Sequence, residues 1–535
     1  MRLLIDSFAG MVPIIEASKR PVNNADTCEN CRFDSGSLSA YGGLSAIPAT
    51  IRNPSQSIYL YQGDYWFSWT NDVDVVASPI NDDAYARVYF TGDGYPKMTA
   101  NTVATGSGTM PAISYRLGVK QPSPPTIQSI SNNDQNAAEQ DDDLTRFYTI
   151  TYVNEFGEES MPSVLSEEIT IQDPSAIVTV ALPSVGTNDQ NITTVRIYRT
   201  NDSADAYQLV GSENINVNSF VDDGETLGIV LDSWTYAEPA QDMKGLCAMA
   251  NGILAGFSGN TIYFSEAYLP HAWPVDYQQT TQDEIVAIAA VGNSVIVGTK
   301  GNPYIFSGVS PDAISGEKLE IAQACVSKQS MVDMGQYAIY ASPDGLVLAS
   351  SSSVSLITSG LFNKKEWQKY EPSTIKAEYY EEKYVAFYGD GKGFIFDPRN
   401  SDFVETDFTG TAMYNDLETD TLYIAQGSTL SAFDENISTL SYSWSKTVRL
   451  NNAASPSCAY VDTIDPDNVG MTISVDGVEL LTYESLGGDI SQVGGTAPVF
   501  RLPAVRGREF TVTITGTADV HRVAFGTNMK SVQHG

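Results

Sequence analysis

The sequence predicts an all-β protein, a β-propeller of six or seven blades interrupted by one β-sandwich and followed by a second. Three observations carry this expectation. One unit of strand, tight turn, strand, tight turn and aromatic strand recurs five times between Gly245 and Asp434, at a spacing of roughly 36 to 45 residues, the period of propeller blades. Hydrophobic residues make up 42% of the 535 and include 29 Tyr and 20 Phe, a composition that favours packed strands over disorder. Long apolar stretches with helical periodicity are missing.

Residues 1–45 form an entry segment: strand-like MRLLIDSF, then Gly10 and Pro13, then NNADTCENCRF, where Asn24 is suited to cap one or two helical turns. In DSGSLSAYGGLSAIP the pattern is strand, Gly42-Gly43 turn, strand. Residues 46–120 are the first part of the propeller, carried by SIYLYQGDYWFSWTNDVDVVAS from Ser57 and ARVYFTGDGYPKMT from Ala86. Pro122, Pro124 and Pro125 then mark a linker into an insertion, residues 121–237. After the polar run SNNDQNAAEQDDD it holds six short strands within ~115 residues, the pattern of a β-sandwich.

The propeller resumes over residues 238–440, where the five units begin at Gly245, Val286, Ser330, Ile375 and Thr411. Residues 441–535 change to period-two alternation in Met471–Val475 and Phe510–Ile514, with Asp476-Gly477 as a hairpin turn, and predict the second sandwich.

A formal charge of −35 repels polyanions and argues against a nucleic-acid reader with a basic footprint. It fits either a surface that stays dispersed or a wall that nucleic acid slides past without sticking. Five cysteines are an odd number, which argues against a disulfide framework and fits folding in a reducing compartment. The Cys28-x-x-Cys31 pair lacks a second pair at zinc-ribbon spacing and is read as structural, as are Cys247, Cys325 and Cys458. The N-terminus lacks the cleavage pattern of a signal peptide, and no run of ~18 apolar residues predicts a membrane span.

For catalysis, cofactor binding and metal binding the expectation is none. Of the histidines His271, His521 and His534, the first sits in Leu269-Pro270-His271-Ala272-Trp273-Pro274 and reads as a turn residue. No nucleophile elbow, P-loop or H-E-x-x-H occurs. Asp390, Asp397 and Asp402, and the run Asp141, Asp142 and Asp143, read as solvated turn carboxylates and not as a glycosidase pair. The loop Asp462–Asn468, with Asp465 and Asp467, holds oxygen ligands suited to calcium but lacks the EF-hand spacing.

Two resemblances follow from these residues. In the insertion, Tyr152, the turn Asn154-Glu155-Phe156-Gly157-Glu158, then Ser160, Pro162 and Ser163, and the strand Arg196-Ile197-Tyr198-Arg199 resemble a fibronectin type III module. The opening Phe8-Ala9-Gly10, Asn23-Asn24-Ala25 and Cys31-Arg32-Phe33-Asp34-Ser35-Gly36 looks like the start of the tail-nozzle proteins of short-tailed bacteriophages, also called tail tube B or tail hub proteins. Ile262-Tyr263-Phe264-Ser265-Glu266, His271-Ala272-Trp273-Pro274, Ile285-Val286-Ala287-Ile288, Tyr304-Ile305-Phe306-Ser307-Gly308, Gln323-Ala324-Cys325-Val326-Ser327 and Tyr340-Ala341-Ser342-Pro343-Asp344-Gly345-Leu346 resemble that family's motifs in its order.

The second resemblance implies a structural virion protein made in the host bacterial cytoplasm. It implies a homohexamer below the portal and the tail adaptor, contacting tail fibres or spikes, with genomic DNA passing through the lumen unbound, and it brings no catalytic residue. A conduit should not hold phosphates, because each neutralising Lys or Arg adds counterion-release free energy and slows passage. The alternative is a receptor-binding or polysaccharide-degrading propeller of a phage tail, which predicts convergent aromatics such as Trp66, Trp69 and Tyr85 at a mouth.

Overall fold

A computed structural model of the chain describes residues 2–134, 143–173, 175–201, 203, 205–224, 227–490, 499–528 and 532. Strands hold 47% of the chain and helix 6%, so the class is all-β. The α-helices among the described residues are single turns at Lys364–Trp367 and Leu486–Ile490. The chain divides into two compact units, one of Met1–Asn71, Gly298–Pro303 and Lys318–Gly535, the other of Asp72–Val297 and Tyr304–Glu317.

In the second unit, four-stranded antiparallel sheets start at Asp74–Ala77, Lys244–Ala248 and Ile285–Val291. Their first strands are neighbours in that order. Asp74 ties the first two together, because its Oδ2 accepts the Gly245 backbone N–H at 2.9 Å. Side chains alternate along Ile285–Val291, with Ile285, Ala287 and Ala289 buried, as a strand with one face in a core requires.

The insertion contributes two three-stranded sheets, Thr126–Ser131 with Ile177–Ala181 and Ser219–Asp222, and Tyr148–Asn154 with Ile192–Thr200 and Tyr207–Asn214. Tyr148, Ile150, Tyr152, Val178, Val180 and Ile197 fill the space between them. All seven residues of Tyr148–Asn154 are buried although it is an edge strand. The covering segment is the Ser-Met-Pro-Ser-Val-Leu-Ser run. Ser160, Ser163 and Ser166 return at every third residue, and their hydroxyls accept the backbone N–H groups of Tyr152, Ile150 and Tyr148 at 2.9, 3.1 and 3.0 Å. Their own N–H groups donate back to the carbonyls of the same three residues. A proline at 162 can sit in this segment because the serine hydroxyls, and not a regular ladder, satisfy the edge.

The first unit holds sheets starting at Val332–Asp333, Lys376–Tyr380 and Ala412–Asp416, and the hairpin Ser57–Tyr61 with Tyr65–Trp69. These first strands are again neighbours, with Ser57–Tyr61 beside Ala412–Asp416. The sheet from Lys376 runs on through Asp402–Thr406, crosses by the Glu405 to Glu29 bridge to Thr27–Glu29, and continues into Tyr442–Ala454, Gly507–Gly516, Val469–Val475 and Val478–Tyr483. Asp476 and Gly477, both at positive φ, turn Val475 back onto Val478.

The N-terminal strands are spread over five sheets, three of which also hold distant parts of the chain. Arg2–Ile5 pairs with Arg522–Gly526 in the sheet that also holds Cys458–Asp462 and Val499–Arg501. Thr27–Glu29 bridges the nine-stranded sheet. Gly42–Ile47 is the outer strand on Thr429–Thr439.

Two local expectations need correction. Gly42 and Gly43 do not turn the chain; they lie inside a strand. A Cβ at Gly42 would stand 2.5 Å from the Asp434 carbonyl carbon, and one at Gly43 would stand 2.2 Å from Ser438 Oγ, so the pair allows close strand approach. Asn24 caps no helix. It begins the strand Asn24–Ala25, and its Nδ2 donates to Gly10 O at 3.2 Å. The backbone after it is taken up by pairing with Tyr442–Ala454, which outweighs local capping.

Candidate functional site

Three polar clusters stand out, one in the second unit and two in the first. In the second unit, Arg87 is 7% exposed. Its Nε and Nη2 donate to Asp83 at 2.8 and 3.2 Å, and its Nη1 donates to Glu158 Oε1 at 2.9 Å. Glu158 is presented by the turn predicted from Asn154-Glu155-Phe156-Gly157-Glu158: Asn154 Oδ1 accepts the N–H groups of Phe156 and Glu158, and its Nδ2 donates to Glu158 Oε2 at 2.7 Å. His271 Nδ1 lies 4.0 Å from Glu158 Oε1. Burial pulls the imidazole pKa down, so the ring is neutral at pH 7, edge-on to Tyr236 at 5.7 Å. This arrangement joins the insertion to the strand pair at Asp74–Ala77 and Val88–Thr91, and Phe156 adds edge contact with Tyr85 at 5.0 Å.

In the first unit, a cleft of about 610 Å³ is lined by Arg32, Asp34, Glu381, Glu382, Lys383 and Arg399, among others. Arg32 pairs with Asp34, with Glu381 at 2.7 Å and with Asp434 at 2.7 Å, and lies 5.3 Å over the Tyr41 ring. Lys383 reaches Asp34 at 3.1 Å and Glu381 at 3.3 Å. Arg399 holds Asp397 at 2.7 Å and Glu382 at 2.6 Å. Glu381 and Glu382 both have positive φ, the two-residue turn between Lys376–Tyr380 and Lys383–Tyr388. Three cations therefore meet five carboxylates, and each cation is already engaged. Such a cleft offers no phosphate grip.

A second cleft of the same unit, about 410 Å³, is lined by Met331, Asp333, Met334, Glu378 and Asn415 among others, from three successive first strands. Burial pushes the Glu378 carboxyl up to about 7 and raises Asp333. Both side-chain atoms of Asn415 are buried with no hydrogen-bond partner among the described residues.

The other residues singled out from sequence are distributed widely. Cys28 and Cys31 are buried free thiols that donate to the carbonyls of Phe403 and of Glu29 and Ser443, at 3.4 and 3.3 Å. Cys325 and Cys458 are buried and Cys247 half-buried. Contrary to expectation, Asp397 is buried and Asp402 half-buried. They face each other across a strand pair, with Asp397 5% exposed and held by Arg399. Burial pushes Asp402 up to about 6, and its Oδ1 accepts the Gly10 N–H at 2.7 Å. Asp390 stays exposed in its turn. Asp141, Asp142 and His534 lie outside the described residues, and Asp143 is exposed.

Asp462 pairs with Arg522 at 3.0 Å and Asp465 with Asn468 Nδ2 at 2.7 Å, while Asp467 Oδ1 stands against Gly487. Among the described residues no group of three or more His, Cys, Asp or Glu is placed to hold a metal ion. His521 Nδ1 lies 3.0 Å from Ser37 Oγ. Trp69 is buried, Trp66 packs edge-on to Tyr423 and Tyr414, and Tyr85 packs on Phe156. Sequence reasoning missed the Arg32, Lys383 and Arg399 cluster and Glu378. The only local signal was the Glu381-Glu382 pair at a turn.

No family model matches the chain, and no curated protein matches it. Solved structures resemble it weakly. Raptor from Chaetomium thermophilum is 10% identical with a TM-score of 0.31, over 75% of this chain and 29% of that one. The computationally designed Ika8 protein is 12% identical with a TM-score of 0.30, over 73% and 99%. BamB from Moraxella catarrhalis is 13% identical with a TM-score of 0.27, over 58% and 98%. Likeness at this level carries no argument.

Proposed function

We propose that the chain is a structural subunit of a short bacteriophage tail, a nozzle or hub that forms a ring-shaped DNA conduit below the portal and adaptor and supports genome retention and ejection. The observation that carries this reading is the ordered series of motifs from Phe8-Ala9-Gly10 to Tyr340–Leu346, set on a chain of net charge −35. The cleft at Arg32, Lys383 and Arg399 supports it, because every cation there is matched by carboxylate and none is free to slow a passing phosphate.

In this reading the repeated sheets are blades of a propeller of six or seven blades. The insertion is a fibronectin III-like side module, and residues 441–535 are a terminal sandwich completed by Arg2–Ile5. Six copies assemble in the virion, bound to the adaptor and to fibres or spikes, and no copy carries a catalytic site.

Electron microscopy of the purified protein and of the particle tests the proposal. The expected image is a sixfold ring with a central hole lined by acidic side chains. A monomeric propeller, a basic lumen, or hydrolysis of host polysaccharide by the purified chain would overturn it, the last in favour of a depolymerase.

A further inference from the structure

The cleft of about 410 Å³ in the first unit brings together two carboxylates that no basic side chain answers. Asp333 stands exposed at its rim, and its Oδ1 accepts the Gly335 N–H at 2.7 Å. Glu378 is half-buried in its wall, and its Oε1 accepts the Tyr379 N–H at 3.0 Å. Among the described residues each carboxylate makes that one hydrogen bond and no ion pair, so Asp333 Oδ2 and Glu378 Oε2 are left without a donor. Lys376, on the same strand as Glu378, donates from Nζ to Thr411 O at 3.0 Å, and Lys383, on the next strand, is held by Asp34 and Glu381.

Asn415 is the third polar group of the wall, with Oδ1 and Nδ2 both buried and unpartnered among the described residues. A buried amide without partners is costly, and ionised carboxylates cannot give its oxygen a donor. Burial, and then the charge of Asp333, hold the Glu378 carboxyl up at about 7, as uncompensated negative charge requires. The chemistry that completes this set is a compact cation with several N–H donors. A guanidinium is a poor match, because its planar fork suits two oxygens of one carboxylate and here the two free oxygens belong to different residues. A metal ion is a poor match too, since among the described residues no three His, Cys, Asp or Glu are grouped to hold one. An alkylammonium fits both parts of the cleft. Its three donors serve the two carboxylates and, after a rotation of the amide, Asn415 Oδ1, while Met331, Met334 and Leu417 face its hydrocarbon stem.

We propose that this cleft binds a small alkylammonium ion, with Asp333 and Glu378 contacting its charged head, Asn415 accepting its third N–H and the two methionines lining its stem. The site goes beyond the conduit reading and stands whether or not the chain forms a ring.

Isothermal titration of the full chain at about pH 8 with butylamine, and separately with butane-1,4-diamine, tests the proposal. Sodium chloride at about 0.15 M screens diffuse attraction to the acidic surface. One saturable site per chain is expected for at least one of the two amines. Glu378→Gln should weaken binding by about tenfold to a hundredfold, the loss of one charge-assisted hydrogen bond. Asp390→Asn, at an exposed turn outside the cleft, should leave binding unchanged. Should Glu378→Gln fail to fold, amide exchange of the wild-type chain decides the matter: the amine should slow exchange at Lys376–Tyr380 relative to sodium. No saturable binding of either amine, unchanged binding by a folded Glu378→Gln, or no added protection in the wild type would overturn the proposal. So would a loss in Asp390→Asn as large as that in Glu378→Gln, which marks diffuse attraction, or displacement of the amine by an equal concentration of magnesium, which marks a metal site.

Discussion

The Ser163 hydroxyl accepts the Ile150 backbone N–H at 3.1 Å, and the Ser163 N–H returns to the Ile150 carbonyl at 2.8 Å. This reciprocal pair, repeated at Ser160 and Ser166, lets an edge strand of the insertion stay fully buried with a partner strand on one side only. Ser163→Ala should leave the Ile150 N–H buried without its acceptor, at a cost of about 1–3 kcal/mol. The check is amide exchange across Tyr148–Asn154, which should accelerate there and not in Ile285–Val291.

Gly10 and Asp402 make a second long-range pair, with the Gly10 N–H on Asp402 Oδ1 at 2.7 Å. A Cβ at Gly10 would stand 2.5 Å from the Phe403 nitrogen, a backbone atom that cannot swing aside. Gly10→Ala should destabilise the first unit by about 1–3 kcal/mol through overpacking. Denaturant unfolding followed by Trp fluorescence reads this, because Trp444 is buried nearby with its Nε1 donating to Ala9 O at 3.2 Å. An unchanged midpoint would show that the strand pair relaxes at no cost.

Glu378 predicts a pH dependence whose sign is fixed. Burial raises its carboxyl from 4.5 to about 7 in the folded chain, so between those values the folded state holds a proton that the unfolded state has released. Its contribution to stability is therefore present below about pH 4.5 and is lost as pH rises toward 7. Glu378→Gln should be more stable than the wild type above pH 7, by on the order of 1–3 kcal/mol. Its stability curve should also be flatter from pH 4.5 to 7. Equal slopes for the two proteins would remove Glu378 as the titrating group.

Arg87 and Glu158 are 7% and 5% exposed and 2.9 Å apart. Arg87→Met should cost about 3–5 kcal/mol, because it leaves Glu158 charged and buried beside a neutral His271. Adding Glu158→Gln should recover a large part of that loss. A double-mutant cycle by urea unfolding measures the coupling, and additive single effects would contradict the buried pair.

The five repeats were legible because each carries its own signal: alternating apolar residues, a Gly, Asn or Asp turn, then aromatics. Strands occur at each, including Lys383–Tyr388 and Lys392–Asp397 in the fourth unit. The Gly42-Gly43 pair misled because the same dipeptide serves a tight turn and a close strand approach equally well, and only the Asp434 to Ser438 backbone decides between them. Asp397 and Asp402 misled for a related reason. Acidic residues near turns are usually solvated, but here Arg399 and Gly10 cover them.

The sequence by itself determined the all-β class, the alternation of buried and exposed positions, the turn at Asp476-Gly477 and the excess of negative charge, since each follows from residue type and short-range spacing. Only the tertiary structure decided that Arg2–Ile5, Thr27–Glu29 and Gly42–Ile47 join three different sheets, and that Arg32 answers carboxylates at Asp34, Glu381 and Asp434. The reason is physical. A strand's pattern states which face is apolar, but its hydrogen-bonding edges are identical along every chain, so the partner is chosen by packing among residues hundreds of positions apart.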